Sequence, residues 1–308
     1  MVDRHIDNAS GSVKTGSINR DKKISLYIPA YNAGRYLDRV LTCLSELTYQ
    51  PDEIFVINDG SQDNSSEIAK AHGVKVFDQP QNMGLAEARN RALKEARNDW
   101  IACIDSDVCV EPDWLENLVA FQCANPEVVA IGGRMDEMHL VTVADNWRKE
   151  HMAQHWGEDV RFDIPFIFGA NGLYDKRVLL EIGGFNPKLR TNGEDSDICA
   201  RLIAAGYKIA YAPSARCLHM KRDTYLSLLR GYWNWMRHPI CVTWPIDNFR
   251  SLYRFTLRRI KHHMQVNLLP DLRAGKFEFL GLNISILFYS FFKEVNAYLT
   301  RKTGDKDA

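Results

Sequence analysis

Residues 100–107 read Trp-Ile-Ala-Cys-Ile-Asp-Ser-Asp. A short apolar run that stops at two carboxylates has the pattern of a strand buried on both faces. Its neighbours decide what kind of sheet it joins. Upstream, Ile24 to Ala30, Glu53 to Ile57 and Val74 to Phe77 are further strand candidates. Between them lie amphipathic helical stretches at Arg35 to Glu46, after the capping sequence Asp63-Asn64-Ser65, and at Leu85 to Ala96. Strands alternating with helices at this spacing give βαβ units and a mainly parallel sheet, so the fold class is α/β. Ligands bind such sheets at the carboxyl ends of the strands, and the polar residues of interest fall there.

Beyond Pro112 the pattern predicts helices at Trp114 to Cys123 and Val143 to Trp156, with a strand at Val128 to Gly132 between them. Arg177 to Glu181 precedes a Gly183-Gly184 break, Ser196 to Ala205 is a helix ended by Gly206, and Lys208 to Ala212 is a strand. From Asp223 the chain reads as helical, broken at Pro239, Pro245 and Pro270. This divides it into a polar tail (1–20), an α/β unit (21–222) and a helical C-terminal extension (223–308). The tail has no apolar segment and reads as neither signal peptide nor membrane anchor.

The chain has 308 residues, 45% of them apolar and 25% charged, with Lys plus Arg and Asp plus Glu both at 39. Nucleic-acid binders usually carry a basic excess, because phosphate neutralisation supplies most of their affinity, so no nucleic-acid partner is expected. Seven cysteines without a C-x-x-C pair, most within apolar runs, predict buried free thiols and a cytoplasmic, reducing location. There is no G-x-x-x-x-G-K-[ST] phosphate loop and no G-x-G-x-x-G fingerprint, which disfavours ATPase and dehydrogenase chemistry. His151 and His155 have zinc-pair spacing, but Met152 stands where a zincin needs Glu, so they read as packing residues.

Asp105 and Asp107 at a strand end repel one another unless a cation joins them, and a hard divalent ion also bridges diphosphate oxygens. A polar turn is the competing reading. Asp59, in Asn58-Asp59-Gly60-Ser61, can bond a nucleobase or ribose, or only its own turn. Gly84 permits close approach before a helix in which Arg89 could reach a phosphate or order the Asp-rich loop. Glu194 and Asp195 open the helix after Gly193. Acids complement a helix dipole there, and a carboxylate held in that place can also take a proton from a hydroxyl. His219 gains interest as a ligand only if another residue already holds a metal.

In order and spacing, Ile28-Pro29-Ala30-Tyr31-Asn32, Asn58-Asp59-Gly60-Ser61-Gln62-Asp63, Asn82-Met83-Gly84 with Ala88-Arg89-Asn90, and Asp105-Ser106-Asp107 resemble the family 2 glycosyltransferases. The match continues through Gly169-Ala170-Asn171-Gly172, Gly183-Gly184-Phe185 and Gly193-Glu194-Asp195 to His219. The resemblance implies a GT-A (Rossmann-like) fold and inverting transfer from a UDP-sugar with Mn²⁺ or Mg²⁺. It implies nucleotide contacts from Pro29, Tyr31, Asn32, Asp59, Arg89, Asp105 and Ser106. Asp107 would ligate the metal directly, His219 would be the second protein ligand, and Asp105 would act through ribose or a metal-bound water. Asp195 would be the base and Glu194 would hold the acceptor, with Gly169, Asn171 and Gly172 near sugar or acceptor. The acceptor would be a glycan or a lipid- or protein-linked hydroxyl.

The Tyr232, Trp233, Trp235 cluster has faces that could stack on sugars, Trp233 being the expected acceptor contact, or could pack helices. The basic, aromatic stretch within 249–299 offers either core packing or peripheral contact with the inner face of an anionic membrane. Its most apolar part, Phe279 to Phe292, is shorter than the roughly 20 residues a spanning helix needs. A nucleotidyltransferase and a non-catalytic nucleotide- or glycan-binding module are the alternatives.

Overall fold

The computed structural model describes residues 22–304 apart from 244, 245 and 247, without the side chains of 238–243 and 301–304. The expected N-terminal tail and Pro245 lie outside the described residues. Elements run in the order β1 (Ile24–Ala30), α1 (Leu37–Ser45), β2 (Glu53–Asn58), α2 (Ser65–Ala71), β3 (Lys75–Asp78), α3 (Leu85–Glu95), β4 (Trp100–Ile104), β5 (Val108–Val110) and α4 (Trp114–Ala124). There follow β6 (Val128–Glu137), α5 (Val143–His151), β7 (Asn171–Asp175), α6 (Lys176–Glu181), α7 (Glu194–Ala204) and β8 (Lys208–His219). Helices α8 (Tyr225–Thr243), α9 (Phe249–His263), α10 (Leu269–Arg273) and α11 (Leu280–Gly304) complete the chain, with a π turn before α10 and a 3₁₀ turn before α11.

The strands form one mixed sheet in the order β3-β2-β1-β4-β7-β6-β8-β5. β1, β2, β3 and β4 are mutually parallel where they pair, as the alternation predicts, and β6 pairs β8 in parallel. Strand β7 enters antiparallel between β4 and β6, and β5 antiparallel beside β8. The alternation of side chains along each strand sends two sets of residues to opposite faces. Ile24, Leu26, Ile28, Ala102 and Ile104 pack under α1 and α4, whereas Tyr27, Ile101 and Cys103 pack under α3 and α7. Both faces are covered, which is why these strands read as unbroken apolar runs.

The structure departs from the sequence reading at three places. The helix expected over Val143 to Trp156 ends at His151, because Gln154 leaves to bridge Met135 of β6. α8 runs through Pro239, where a break was expected, while Pro270 sits in the first turn of α10, where its missing N–H is tolerated. Cys43 of α1 and Cys109 of β5 form a disulfide. They are 66 residues apart in sequence and meet only because β5 folds back under α1. Cys103, Cys123, Cys199 and Cys217 are free, as expected, and the side chain of Cys241 lies outside the described residues. His151 packs as expected, its Nε2 2.9 Å from Asp271.

Asn171 at the start of β7 ties the two halves of the sheet together. It is fully buried. Its Oδ1 accepts the Trp114 indole N–H at 2.6 Å, and its Nδ2 donates to the Arg134 carbonyl at 3.1 Å. Replacing it by alanine strands both partners without water, which typically costs about 1–3 kcal/mol per buried group. Asn171→Ala is expected to lose about 2–3 kcal/mol of stability in urea titration. An unchanged midpoint would reduce this network to packing.

Candidate active site

The parallel strands β1, β2 and β4 all end on the same edge of the sheet, and each end carries a loop. The first two loops are zipped together. The backbone N–H of Asn32 donates to Ser61 Oγ at 2.9 Å, and Asn32 Oδ1 accepts from the Gln62 N–H at 2.8 Å. Asn32 holds φ of +50° to do so, a conformation Asn tolerates better than most residues. Pro29 is buried in β1, and Tyr31 is half exposed beside it. Asp59 is buried, and its carboxylate accepts from Gln79 Nε2 and the backbone N–H groups of Met83 and Gly84 at 2.7–2.8 Å. It therefore fixes the 79–84 loop that launches α3. Gly84 has φ of +100°, and a Cβ there would lie 2.9 Å from the Arg190 carbonyl.

Arg89, one turn into α3, is fully buried rather than a surface helix residue. Its Nη1 donates to the Gly169 carbonyl at 2.8 Å, its Nη2 lies 3.2 Å from Asp105 Oδ1, and its Nε lies 3.3 Å from Glu194 Oε1. One guanidinium thus binds three segments: the Asp105-Ser106-Asp107 loop, the strand of backbone before β7, and the first turn of α7. Gly193 opens that turn at φ +88°. Asp195, next to Glu194, is held by the Gly169 N–H at 3.1 Å and the Ser196 N–H at 2.8 Å. A Cβ on Gly169 would press on both Arg89 and Asp195, so glycine is required where these two groups converge.

Strand pairing assembles the other side. β8 lies between β5 and β6, placing His219 opposite Val108 and Glu137. His219 Nε2 lies 3.3 Å from Asp107 Oδ2, and Nδ1 lies 3.1 Å from Glu137 Oε2. Burial disfavours the charged imidazole, but the two carboxylates outweigh it and raise His219 to about 9. Burial likewise opposes the Asp107 charge, and the hydrogen bond and charge of His219 reverse the balance, holding that carboxyl below its usual range. Burial raises Asp105. Arg89 counters it, while Asp107 and Asp195 both add repulsion, which puts Asp105 between the two ends of one site. Glu194 is pushed up to about 8 by burial and by Asp195, since Arg89 divides its single charge between two acids.

The cleft so formed has a volume of about 470 Å³ and is lined by Asp105, Gly169, Glu194 and Asp195 together with Arg148, Lys221 and Trp235. Among the described residues, the buried side-chain atoms without an aligned hydrogen-bond partner are Arg89 Nε, Arg148 Nε and Glu194 Oε2, and all three residues line this cleft. Ser106 is partly exposed between the two aspartates.

Three expected site residues lie elsewhere. Asn171 and Gly172 belong to the interior of the sheet. Asn171 is consumed by Trp114 and Arg134, and a Cβ on Gly172 would strike the Tyr174 ring. Phe168 to Ala170, just before them, line the cleft instead. Trp233 turns away, donating its indole N–H to Glu294 at 3.0 Å beneath Arg237 and Lys293. Trp235 takes its place in the cleft. Glu137, Arg148 and Lys221 were not anticipated. Arg148 pairs with the buried Asp223, and neither has a sequence signal beyond a charge in an otherwise packed helix or turn.

As a hard divalent cation commonly keeps waters and takes only one or two protein ligands plus substrate phosphates, Asp107 and His219 are a chemically fitting pair. Glu137 against Nδ1 would leave Nε2 free to coordinate, the usual outer-shell arrangement. Among the described residues no group of three or more His, Cys, Asp or Glu is arranged to hold an ion unaided, so a diphosphate would have to complete the shell.

Comparison with known proteins agrees with this geometry. The family model for glycosyl transferase family 2 matches residues 25–183, and one described as the N-terminal domain of galactosyltransferase matches 150–223. A poly-beta-1,6-N-acetyl-D-glucosamine synthase of Staphylococcus epidermidis is 26% identical over 88% of this chain and 68% of its own length. A second synthase of that species is matched over only 53% of its length. A glucosyl-dolichyl phosphate glucuronosyltransferase of Haloferax volcanii is 26% identical over 64% of this chain and 69% of its own. Among solved structures, the mannosyltransferase PcManGT of Pyrobaculum calidifontis, in complex with GDP-Man and Mn²⁺, superposes with a TM-score of 0.61 at 15% identity, covering 91% of this chain and 89% of that one. GalNAc-T7 with UDP, GalNAc and Mn²⁺ gives 0.55 at 18% identity, over 90% and 58%. The sheet and its flanking helices are thus of the GT-A type, and the chain belongs to glycosyl transferase family 2, as an enzyme that transfers glycosyl groups.

Proposed function

We propose that this enzyme transfers a sugar from a UDP-sugar to a hydroxyl of a glycan or of a lipid- or protein-linked acceptor, with inversion at the anomeric carbon and a divalent cation, Mn²⁺ or Mg²⁺. The observation that carries the reading is the convergence, on one cleft that also presents Asp195, of three buried polar atoms that lack an aligned hydrogen bond. Arg89 Nε and Arg148 Nε have only long ion-pair contacts, at 3.3 Å to Glu194 and 3.6 Å to Glu137, so a polar ligand in this cleft would improve their bonding. PcManGT and GalNAc-T7 were solved with a nucleotide or nucleotide-sugar and Mn²⁺, which supports the donor class and the cation.

In this reading Asp107 and His219 would hold the cation, which when bound offsets the negative charge that develops on the departing diphosphate. The first-loop residues Pro29, Tyr31 and Asn32, with Asp59 and Ser106, border the nucleotide. Arg148 and Lys221 add positive charge to the cleft lining, and both charges favour the ionised form of Asp107. Asp195 is held by two backbone N–H groups at a helix start, so it keeps its aim while its remaining lone pairs accept the proton of the acceptor hydroxyl. Attack from the face opposite the diphosphate inverts the centre. Glu194, protonated at neutral pH, offers Oε2 to an acceptor or sugar hydroxyl.

Residues 21–222 form the catalytic unit and 223–308 the helical extension in this proposal. A peripheral position on the inner face of a membrane is the corresponding location. Its support is the surface of α9 and α11, not the cysteines, since two of them are bonded. A nucleotidyltransferase would release pyrophosphate, and a binding module would release nothing.

Incubation with UDP-sugars is expected to release UDP. Asp195→Asn should lower transfer by on the order of 10²–10⁴-fold while donor affinity in calorimetry is kept. Turnover surviving in that variant removes Asp195 from the role of base. Chelation by EDTA should stop transfer and added Mn²⁺ or Mg²⁺ restore it, and His219→Ala should raise the cation concentration needed for half-maximal rate. Full activity under EDTA would exclude the cation.

Glu194 supplies a pH test with a definite sign. Its folded-state value of about 8 lies above the ordinary glutamate value of 4.5, so between those values the folded protein binds more protons than the unfolded chain. Stability attributable to this group therefore falls as pH rises through that window. Glu194→Gln should flatten the dependence, with the variant gaining on the parent in melting temperature from pH 5 towards 8. Parallel curves would contradict the shift.

A further inference from the structure

The solvent face of the C-terminal helices has a composition that the catalytic cleft does not use. Residues 249–299 carry eight Lys and Arg against three Asp and Glu, in a chain where the two totals balance. Two of the three acids are internal: Asp271 is buried against His151 and Asn283, and Glu294 against Trp233, Arg237 and Arg259. Only Glu278 is an exposed acid in this stretch.

Helix α9 contains no acid, and at about 100° per residue its sequence separates into three stripes. Leu252, Phe255 and His263 face inward. Phe249, Tyr253 and Leu257 form the next stripe, 71%, 56% and 47% exposed. Arg250, Arg254 and Lys261 form the third, also exposed. On α11, Phe288 and Phe292 are 61% and 64% exposed. Arg250 and Arg254 line one cavity of about 520 Å³ together with Leu287 and Phe291 of α11, so the basic stripe and the apolar side of α11 meet on one side of the molecule.

We propose that α9 and α11 dock this enzyme on an anionic lipid bilayer, lying in the headgroup plane. The exposed aromatics would enter the acyl boundary while Arg250, Arg254 and Lys261 pair with lipid phosphates. An apolar stripe bordered by a purely basic one is the pattern of an interfacial helix. The positive excess is complementary to an anionic leaflet, where each Lys or Arg near the surface adds roughly fivefold to affinity. No helix among the described residues is long and apolar enough to cross a membrane, so the contact is with the surface. Helix α8 separates this face from the cleft, with Trp235 lining the cleft, Met236 the cavity and Tyr232 both. The bilayer would therefore lie one helix away from the site of transfer. Docking is independent of the donor and acceptor chemistry, and its test uses neither.

The test is co-sedimentation of the full chain with phosphatidylcholine vesicles, with and without phosphatidylglycerol. Binding is expected with phosphatidylglycerol only, and should weaken as salt rises. The triple variant Arg250→Ala, Arg254→Ala, Lys261→Ala should lose on the order of 100-fold in affinity. Phe288→Ser with Phe292→Ser should lose roughly tenfold or more. Both variants should keep the parental melting temperature, since the replaced side chains are exposed. Failure of the parent to sediment with anionic vesicles, or parental binding by both variants, overturns the proposal. So does light scattering that shows a dimer dissociated by the Phe288/Phe292 substitutions, which would make a second copy of the chain the occupant of this face.

Discussion

The buried guanidinium of Arg89 is the interaction on which the site depends. It is a full positive charge without solvent, and it is held there by Asp105, Glu194 and the Gly169 carbonyl. Burying such a charge is expensive, and an ion pair of this kind is weak evidence for stability, since apolar residues of similar volume would often do as well. What it supplies is position. The three segments it joins are the loop after β4, the backbone before β7 and the first turn of α7, and each carries one component of the chemistry. Through Arg89, Asp105, Gly169 and the helix start that carries Asp195 are tied to one another.

The same cation explains the electrostatic asymmetry of the cleft. Asp105, Glu194 and Asp195 line it and Asp107 follows Asp105 in the same loop, more acids than one guanidinium can offset. The excess is resolved in two ways. At one end His219, itself steadied by Glu137, keeps Asp107 ionised. At the other end Glu194 takes up a proton. Neighbouring carboxylates pushed in opposite directions are the usual sign of divided roles in a site. Asp195 is fixed by the backbone N–H groups of Gly169 and Ser196.

The C-terminal helices add a second polarity to the molecule. Their inner sides build a core with α5, in which Trp147, Tyr232, Leu282 and Ile286 pack together. Trp233 and Glu294 belong to the joint between α8, α9 and α11. This joint occupies the aromatic side chain that the sequence offered to the acceptor, and the helical repeat brings Trp235 to the cleft in its place.

The alternation of apolar runs and amphipathic helices before residue 105 determined the parallel half of the sheet, and the placing of Asp59, Arg89, Asp105 and Asp107 at its ligand-binding edge. Those features are local, because strand and helix periods and strand-end loops are written in neighbouring residues. Tertiary structure alone decided the rest. Strands β5 and β7 are short and enter antiparallel from distant parts of the chain. Glu137 meets His219 only through the register of β6 with β8. Cys43 reaches Cys109 only because β5 lies against α1. Asn171 and Gly172 stand in the same short motif as Gly169, yet the pleat of β7 turns them into the core while the preceding loop faces the cleft. Pairing between remote segments has no period along the chain, so it becomes visible only when the sheet closes.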